Sequence, residues 1–121
     1  FKLVEEAEHI ETLIKMHDAG VRFTTGLDMG MSYGTHDRSA ANAWAFVEKL
    51  GWSNWKAINT ATAGTAEAIG LLNEIGSLQV GKTADMAAFS GDPATSIRDM
   101  DQASTVVQSG SILKLNDTVM V

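Results

Sequence analysis

Ala19-Gly20-Val21-Arg22-Phe23-Thr24-Thr25-Gly26-Leu27-Asp28 is the stretch on which the reading of this chain turns. Gly20 stands where a left-handed residue ends a helix. The five residues after it favour β structure and are closed by Gly26. Asp28 follows just past the end of that run, flanked by Gly26 and Gly30. In parallel α/β folds, ligands and catalytic groups collect beyond the carboxyl ends of strands. Aspartate is also an ordinary turn residue, so position alone leaves a functional and a structural reading of Asp28 open.

Working outward, residues 1–19 read as a helix. Leu3, Val4, Ala7, Ile10, Leu13 and Ile14 recur at three- and four-residue steps and share one face. Residues 31–38 are polar and read as a loop. Ser39 or Asp37 could cap a second helix through Leu50, stopped by Gly51, with Ala40, Trp44, Val47 and Leu50 on its buried face. Ser53 could cap a third helix to about Thr62, and Thr65 a short fourth over residues 65–71. After Leu72 the texture changes to short apolar runs between turn residues. Residues 84–90, 105–108, 112–115 and 118–121 are strand candidates, with Ser109-Gly110-Ser111 and Asn116-Asp117 as turns and Ser90-Gly91-Asp92-Pro93 as a further turn signal. The expected architecture is an α-rich first part and a β-rich last part, meeting near residue 72.

Composition narrows the function classes. The 121 residues carry 9 Lys and Arg against 15 Asp and Glu, a formal charge of −6, the wrong sign for a non-specific nucleic-acid binder. No run approaches the ~18 apolar residues of a membrane span. With no cysteine, disulfide frameworks and thiolate zinc sites are excluded. A complete (β/α)8 barrel takes ~250 residues. The chain opens on Phe1 rather than a methionine, from which either a trimmed start or a piece of a longer protein is the expectation.

Gly76-Ser77-Leu78-Gln79-Val80-Gly81-Lys82-Thr83 fits the phosphate-loop pattern letter for letter. Phosphate binding there needs a buried strand before the first glycine and a helix starting at the lysine. The neighbouring sequence reads as helix before and strand after, so a pair of glycine turns is the better reading. His9 and His17 stand eight apart, too far for a two-histidine metal face, and read as solvated or partly packed. His36 falls in the loop after the first strand and decides nothing alone. Trp44, Trp52 and Trp55 have helical spacing, which favours core packing over base stacking or sugar binding.

Two stretches together carry a family resemblance. Residues 19–28 resemble the "aGV-x-x-x-x-GTD" segment of the amidohydrolase superfamily, in its imidazolonepropionase-like and prolidase-like branch. Ala61-Thr62, Ala66, Ala68-Ile69-Gly70-Leu71, Ile75-Gly76-Ser77-Leu78 and Gly81-Lys82-Thr83-Ala84-Asp85 resemble that family's second signature in order and spacing. Ser90-Gly91-Asp92-Pro93 and Val106-Val107-Gln108-Ser109-Gly110 continue it. Leu27 replaces the family's usual threonine, and Ala43-Trp44 stands near where many members begin a helix with Glu-Leu, which leaves subgroup and substrate open.

The resemblance implies an α/β fold, α+β for this chain on its own. Residues 1–71 would be the last β/α unit of a metal-dependent (β/α)8 barrel, and residues 72–121 part of a small β-sandwich. It implies that Asp28 binds a catalytic metal and acts as general base on the attacking water. The expected cofactor is a divalent metal, zinc by preference, in the full-length enzyme, with none held tightly by this chain alone. One carboxylate cannot replace the three or more protein ligands a metal needs, so the isolated chain is expected to be inactive. The implied substrate is a small amide, cyclic amide or dipeptide cleaved at a C–N bond. Neither nucleic acid nor membrane is expected as a partner. The alternative reading is a non-enzymatic α+β module that self-associates, because unpaired strand edges and uncovered apolar faces need cover. A homo-oligomer is expected on the same ground.

Overall fold

The computed structural model describes residues 2–27 and 38–120, with side chains from Ala7 onward. The contributions expected of Leu3, Val4 and Asp37 lie outside what is described.

Helix α1 (Lys2–Asp18) forms where the three- and four-residue periodicity predicts it. It ends as Gly20 predicts. Gly20 has φ 84°, its N–H donates to His17 O at 2.9 Å, and the Val21 N–H donates to Met16 O at 3.0 Å. Those two bonds satisfy carbonyls that the last turn would leave unpaired. The expected burial of its apolar face does not follow. Leu13, Ile14 and Met16 are 37–40 % exposed.

Helix α2 (Ala41–Leu50) also stops at a left-handed glycine, Gly51. Its start differs from expectation. Ala40 occupies the cap position and no side chain bonds to the first turn, so Ser39 does not cap. The most buried position of the helix is Ala43, which the expected face of Ala40, Trp44, Val47 and Leu50 left out.

Ser53 caps helix α3 (Asn54–Asn59) by accepting the Lys56 N–H at 3.2 Å. The expected separate third and fourth helices are one continuous run. A π-turn over Thr60–Gly64 joins α3 to helix α4 (Thr65–Ala68), so Thr65 is interior and caps nothing. Gly70, with φ 78°, ends the run through bonds from its own N–H to Glu67 O and from the Leu71 N–H to Ala66 O.

The link from residue 71 to 85 crosses back over this helix at Gly76. A Cβ built there would lie 2.6 Å from the Ala66 Cβ and 3.2 Å from Thr62 O, so only glycine allows the approach. The sheet then follows the expected order. Strands β1 (Met86–Phe89), β2 (Ala103–Gln108), β3 (Ser111–Leu115) and β4 (Thr118–Val119) form an antiparallel meander, β1-β2-β3-β4. Both two-residue turns have positive φ at both positions: Ser109 49° and Gly110 80°, then Asn116 47° and Asp117 66°. That is the type I′ geometry, whose twist matches antiparallel strands. Asp85 fixes the first turn by accepting the Ser109 N–H at 2.7 Å.

A 3-10 turn over Ile97–Asp101 was not legible in the sequence, and it completes the core. Ile97 is 5 % exposed and meets Ala43 and Ala57, with Trp44, Phe46, Val47, Ile58, Ala61 and Met100 around them. Arg98 locks the same turn to α2. Its guanidinium makes two bonds to the Glu48 carboxylate, at 2.5 and 2.6 Å, and stacks 3.7 Å over the Trp44 ring. This contact holds the Glu48 carboxyl below the usual carboxylate range, mainly through the Arg98 hydrogen bond.

Residues 21–25 form no strand ladder among the described residues, which corrects the expected first strand. The β character persists as a pattern of exposure. Phe23, Thr25 and Leu27 are half-buried while Arg22, Thr24 and Gly26 are exposed, the period of two that a strand gives. A ladder needs a neighbouring strand, and the meander lies elsewhere.

Candidate functional site

The helices hold residues 21–27 from one side. Phe23 packs edge-on against Phe46 at 6.1 Å and Trp52 at 5.7 Å between ring centroids. Edge-to-face rings of this kind add about 0.5–1.5 kcal/mol beyond their buried area. His17 joins the cluster, 4.9 Å from Trp52, and its Nε2 meets the Lys56 ammonium. The reading of His17 as partly packed therefore holds, and His9 is exposed. Trp44 and Trp52 pack as expected. Trp55 does not, being 69 % exposed. Arg22 on the other side pairs with Glu67 at 3.1 Å in solvent.

Hydrogen bonds fix the end of the segment. The Thr25 N–H donates to Thr65 Oγ1 at 3.1 Å, and the two threonine hydroxyls lie 3.2 Å apart. Thr65 Oγ1 itself donates to Thr60 O at 2.7 Å, across the π-turn. A hydroxyl has one hydrogen and two lone pairs, so Thr65 is saturated: it gives its proton to Thr60 and accepts both from Thr25. One residue on, the Gly26 N–H donates to Asn42 Oδ1 of α2 at 2.8 Å. Two successive backbone amides are thus held by side chains from two helices.

Sequence reasoning missed both groups. Thr65 read as a cap, and Asn42 was not singled out. The available signal was the run Thr60-Ala61-Thr62-Ala63-Gly64-Thr65, whose uniformly small side chains mark a close approach of backbone.

Asp28, the one residue singled out for catalysis and metal binding, lies outside the described residues, as does His36. Among the described residues no group of three His, Cys, Asp or Glu could hold a metal ion. The phosphate-loop match finds no support in the geometry. Residues 76–83 are turns with no helix after them, and the Lys82 ammonium is taken up by Leu72 O, Ile75 O and Ser77 Oγ. Asp92, in another signature stretch, is likewise taken up by its neighbours. Asp92 accepts from the Ala94 N–H and the Thr95 hydroxyl, and Asp99 accepts the Asp92 N–H at 2.9 Å. No described helix is long and apolar enough to cross a membrane.

No curated protein sequence matches the chain significantly. Among solved structures, the chain is similar to a protein from Bifidobacterium longum assigned as a prolidase, with 26 % identity and a TM-score of 0.81 over 93 % of this chain and 28 % of that one. It is similar to a Xaa-Pro dipeptidase with methionine bound in its active site, at 28 % identity and a TM-score of 0.77, covering 87 % of this chain and 25 % of that one. It also resembles an atrazine chlorohydrolase variant from Arthrobacter aurescens TC1 complexed with zinc and atraton, at 26 % identity and a TM-score of 0.58, over 90 % and 28 % of the two chains. The chain thus spans between a quarter and a third of the length of the structures it matches. The sequence profile of the amidohydrolase family matches residues 5–113, nearly all of it. By that match, and by its likeness to the prolidase-like branch, the chain belongs to the amidohydrolase family.

Proposed function

We propose that this chain forms the closing portion of a metal-dependent hydrolase of C–N bonds, with residues 1–71 as the last β/α unit of a barrel and residues 72–121 as part of a β-sandwich. The observation that carries the reading is the family match over residues 5–113, with the Asp28 segment inside it. The period-two exposure of residues 22–27 supports a barrel strand here without its neighbours.

Asp28 is the donor this chain would contribute to a divalent metal, with zinc favoured by the zinc-bound relative. The remaining ligands come from outside this sequence, because a single carboxylate cannot hold the ion. When bound, such an ion polarises the scissile carbonyl and makes water acidic enough to be activated near neutral pH. Asp28 takes a proton from the attacking water and passes it to the leaving nitrogen, as a carboxylate within hydrogen-bond reach can. The substrate is a small amide, cyclic amide or dipeptide. The test is metal content and turnover of the full-length enzyme on proline dipeptides and N-acyl amides, with and without Asp28→Asn. Loss of turnover in the variant is expected. Full turnover in the variant, or zinc-dependent amidase activity from the 121-residue chain alone, refutes the reading.

A second reading, self-association of this chain, is favoured by its uncovered apolar side chains. Leu78 is 74 % and Val119 64 % exposed, and Val80 is wholly so. Light scattering after size exclusion decides it: an oligomer supports the reading, and a stable monomer rules it out.

A further inference from the structure

Where α1 ends, one histidine stands between two opposite charges. His17 lies in the last turn of the helix, with its side chain 32 % exposed. Its Nδ1 is 3.4 Å from Asp18 Oδ1, and its Nε2 takes up the Lys56 ammonium of α3. Trp52 backs both partners. The Lys56 ammonium sits 4.0 Å over its ring, and the His17 ring stands 4.9 Å away. His17 and Lys56 also line an open cleft with Ile14, Leu50 and Ser53, so solvent protons reach the contact.

An ammonium has only donors, so it bonds to Nε2 through that nitrogen's lone pair. The ring in this contact is therefore neutral, with its one proton on Nδ1, the nitrogen turned toward Asp18. Protonating Nε2 destroys the bond and sets an imidazolium against an ammonium beside one indole. The surrounding groups pull in opposite directions. From α1, the Asp18 carboxylate and the carbonyl end of the helix favour the charged ring. Lys15, on the same turn, is paired with Glu11 at 2.8 Å. From α3, Lys56 opposes the charge, and α2 carries Lys49 in its last turn. Phe23 adds an uncharged ring at 6.3 Å. Histidine is the side chain that ordinarily changes charge between about pH 5 and 8, so the contact is made or lost in that range.

His17 precedes Gly20 by three residues, and the chain then runs straight into residues 21–27. Phe23 of that segment packs on the same Trp52, at 5.7 Å. We propose that His17 and Lys56 form a pH-sensitive clasp, closed when His17 is neutral and open when it is protonated, which ties the end of α1 and the start of residues 21–27 to α3. The clasp uses neither Asp28 nor a metal.

Peptide-resolved hydrogen exchange on the full-length protein tests it, at about pH 8 and about pH 5.5 on either side of the histidine range, with times scaled for the intrinsic effect of pH. Residues 15–24 and 52–58 should lose protection about tenfold at the lower pH, the order that two like charges meeting near a protein surface produce. Residues 103–115 of the meander are the internal control and should keep theirs. His17→Gln offers Lys56 an amide oxygen that does not titrate, and Lys56→Met keeps the apolar stem over Trp52 without the charge. Each should abolish the pH response of residues 15–24. An unresponsive parent, an equal loss in the meander, or a response that survives in both variants overturns the proposal. A readout that needs no variant is the nitrogen spectrum of the His17 ring at the higher pH. It should show the proton on Nδ1 and a bare Nε2, and the reverse tautomer overturns the clasp.

Discussion

Gly76→Ala tests the packing that joins the helical and β parts. Two costs add at this position. The backbone has φ 89°, where an L side chain is strained by about 1–2 kcal/mol. The new Cβ would also stand 2.6 Å from the Ala66 Cβ and 3.1 Å from the Ala63 Cα. Neither neighbour is a flexible side-chain end that could swing aside, so the link and the helix must separate. Overpacking of that kind costs about 1–3 kcal/mol. The sum is about 2–5 kcal/mol. Gly81→Ala is the control, with φ 93° but nothing within 4 Å of its Cβ, so it carries only the backbone cost. Urea unfolding followed by tryptophan fluorescence should therefore show a clear gap between the two variants, with Gly76→Ala the less stable. Adding Ala66→Gly to Gly76→Ala removes the shortest contact and should recover part of the loss, read as a coupling energy in a double-mutant cycle. Equal destabilisation by Gly76→Ala and Gly81→Ala, or no coupling with Ala66→Gly, would refute the close approach.

Ile97→Ala should cost about 2–4 kcal/mol by calorimetry, because its neighbours Ala43 and Ala57 are too small to fill the space it leaves. Ser109→Asn should stabilise by roughly 0.5 kcal/mol in the same assay, since asparagine tolerates the left-handed first position of a type I′ turn better than serine, and a loss would argue against that turn geometry. Glu48, held below its ordinary pKa of 4.5 by Arg98, gives a signed pH dependence. A depressed carboxylate stabilises above its unfolded pKa, and the contribution disappears as pH falls through the folded value. The Tm gap between the parent and Glu48→Gln should be present at neutral pH and close in acid. A gap that stays constant across that range contradicts the Arg98 pairing.

Local elements were largely readable because their causes are local. Gly20 and Gly51 end helices at left-handed turns, Ser53 begins one, and Ser109-Gly110 and Asn116-Asp117 turn the hairpins, each through a few consecutive residues. Motif order identified the family for the same reason, since a signature is a sequence of local constraints. Where an outcome depends on what lies across a contact, the sequence pointed only to the need for a partner. The face of α1 has the periodicity of a buried helix and stays open, and residues 21–27 have the alternation of a strand and no ladder. Apolar periodicity says which side wants cover and nothing about what supplies it.

Thr65 shows the limit most clearly. Read locally, a threonine after a glycine is a helix cap. In the folded chain one extra residue in the preceding turn carries it inside the helix and aims its hydroxyl at Thr25, forty positions earlier. The sequence by itself determined the helices, the meander, the family and the prominence of Asp28. Only the tertiary structure decided that Ile97 closes the core and that Thr65 and Asn42 hold the Thr25 and Gly26 amides, because hydrogen bonds and packing between distant residues depend on where the whole backbone has brought them.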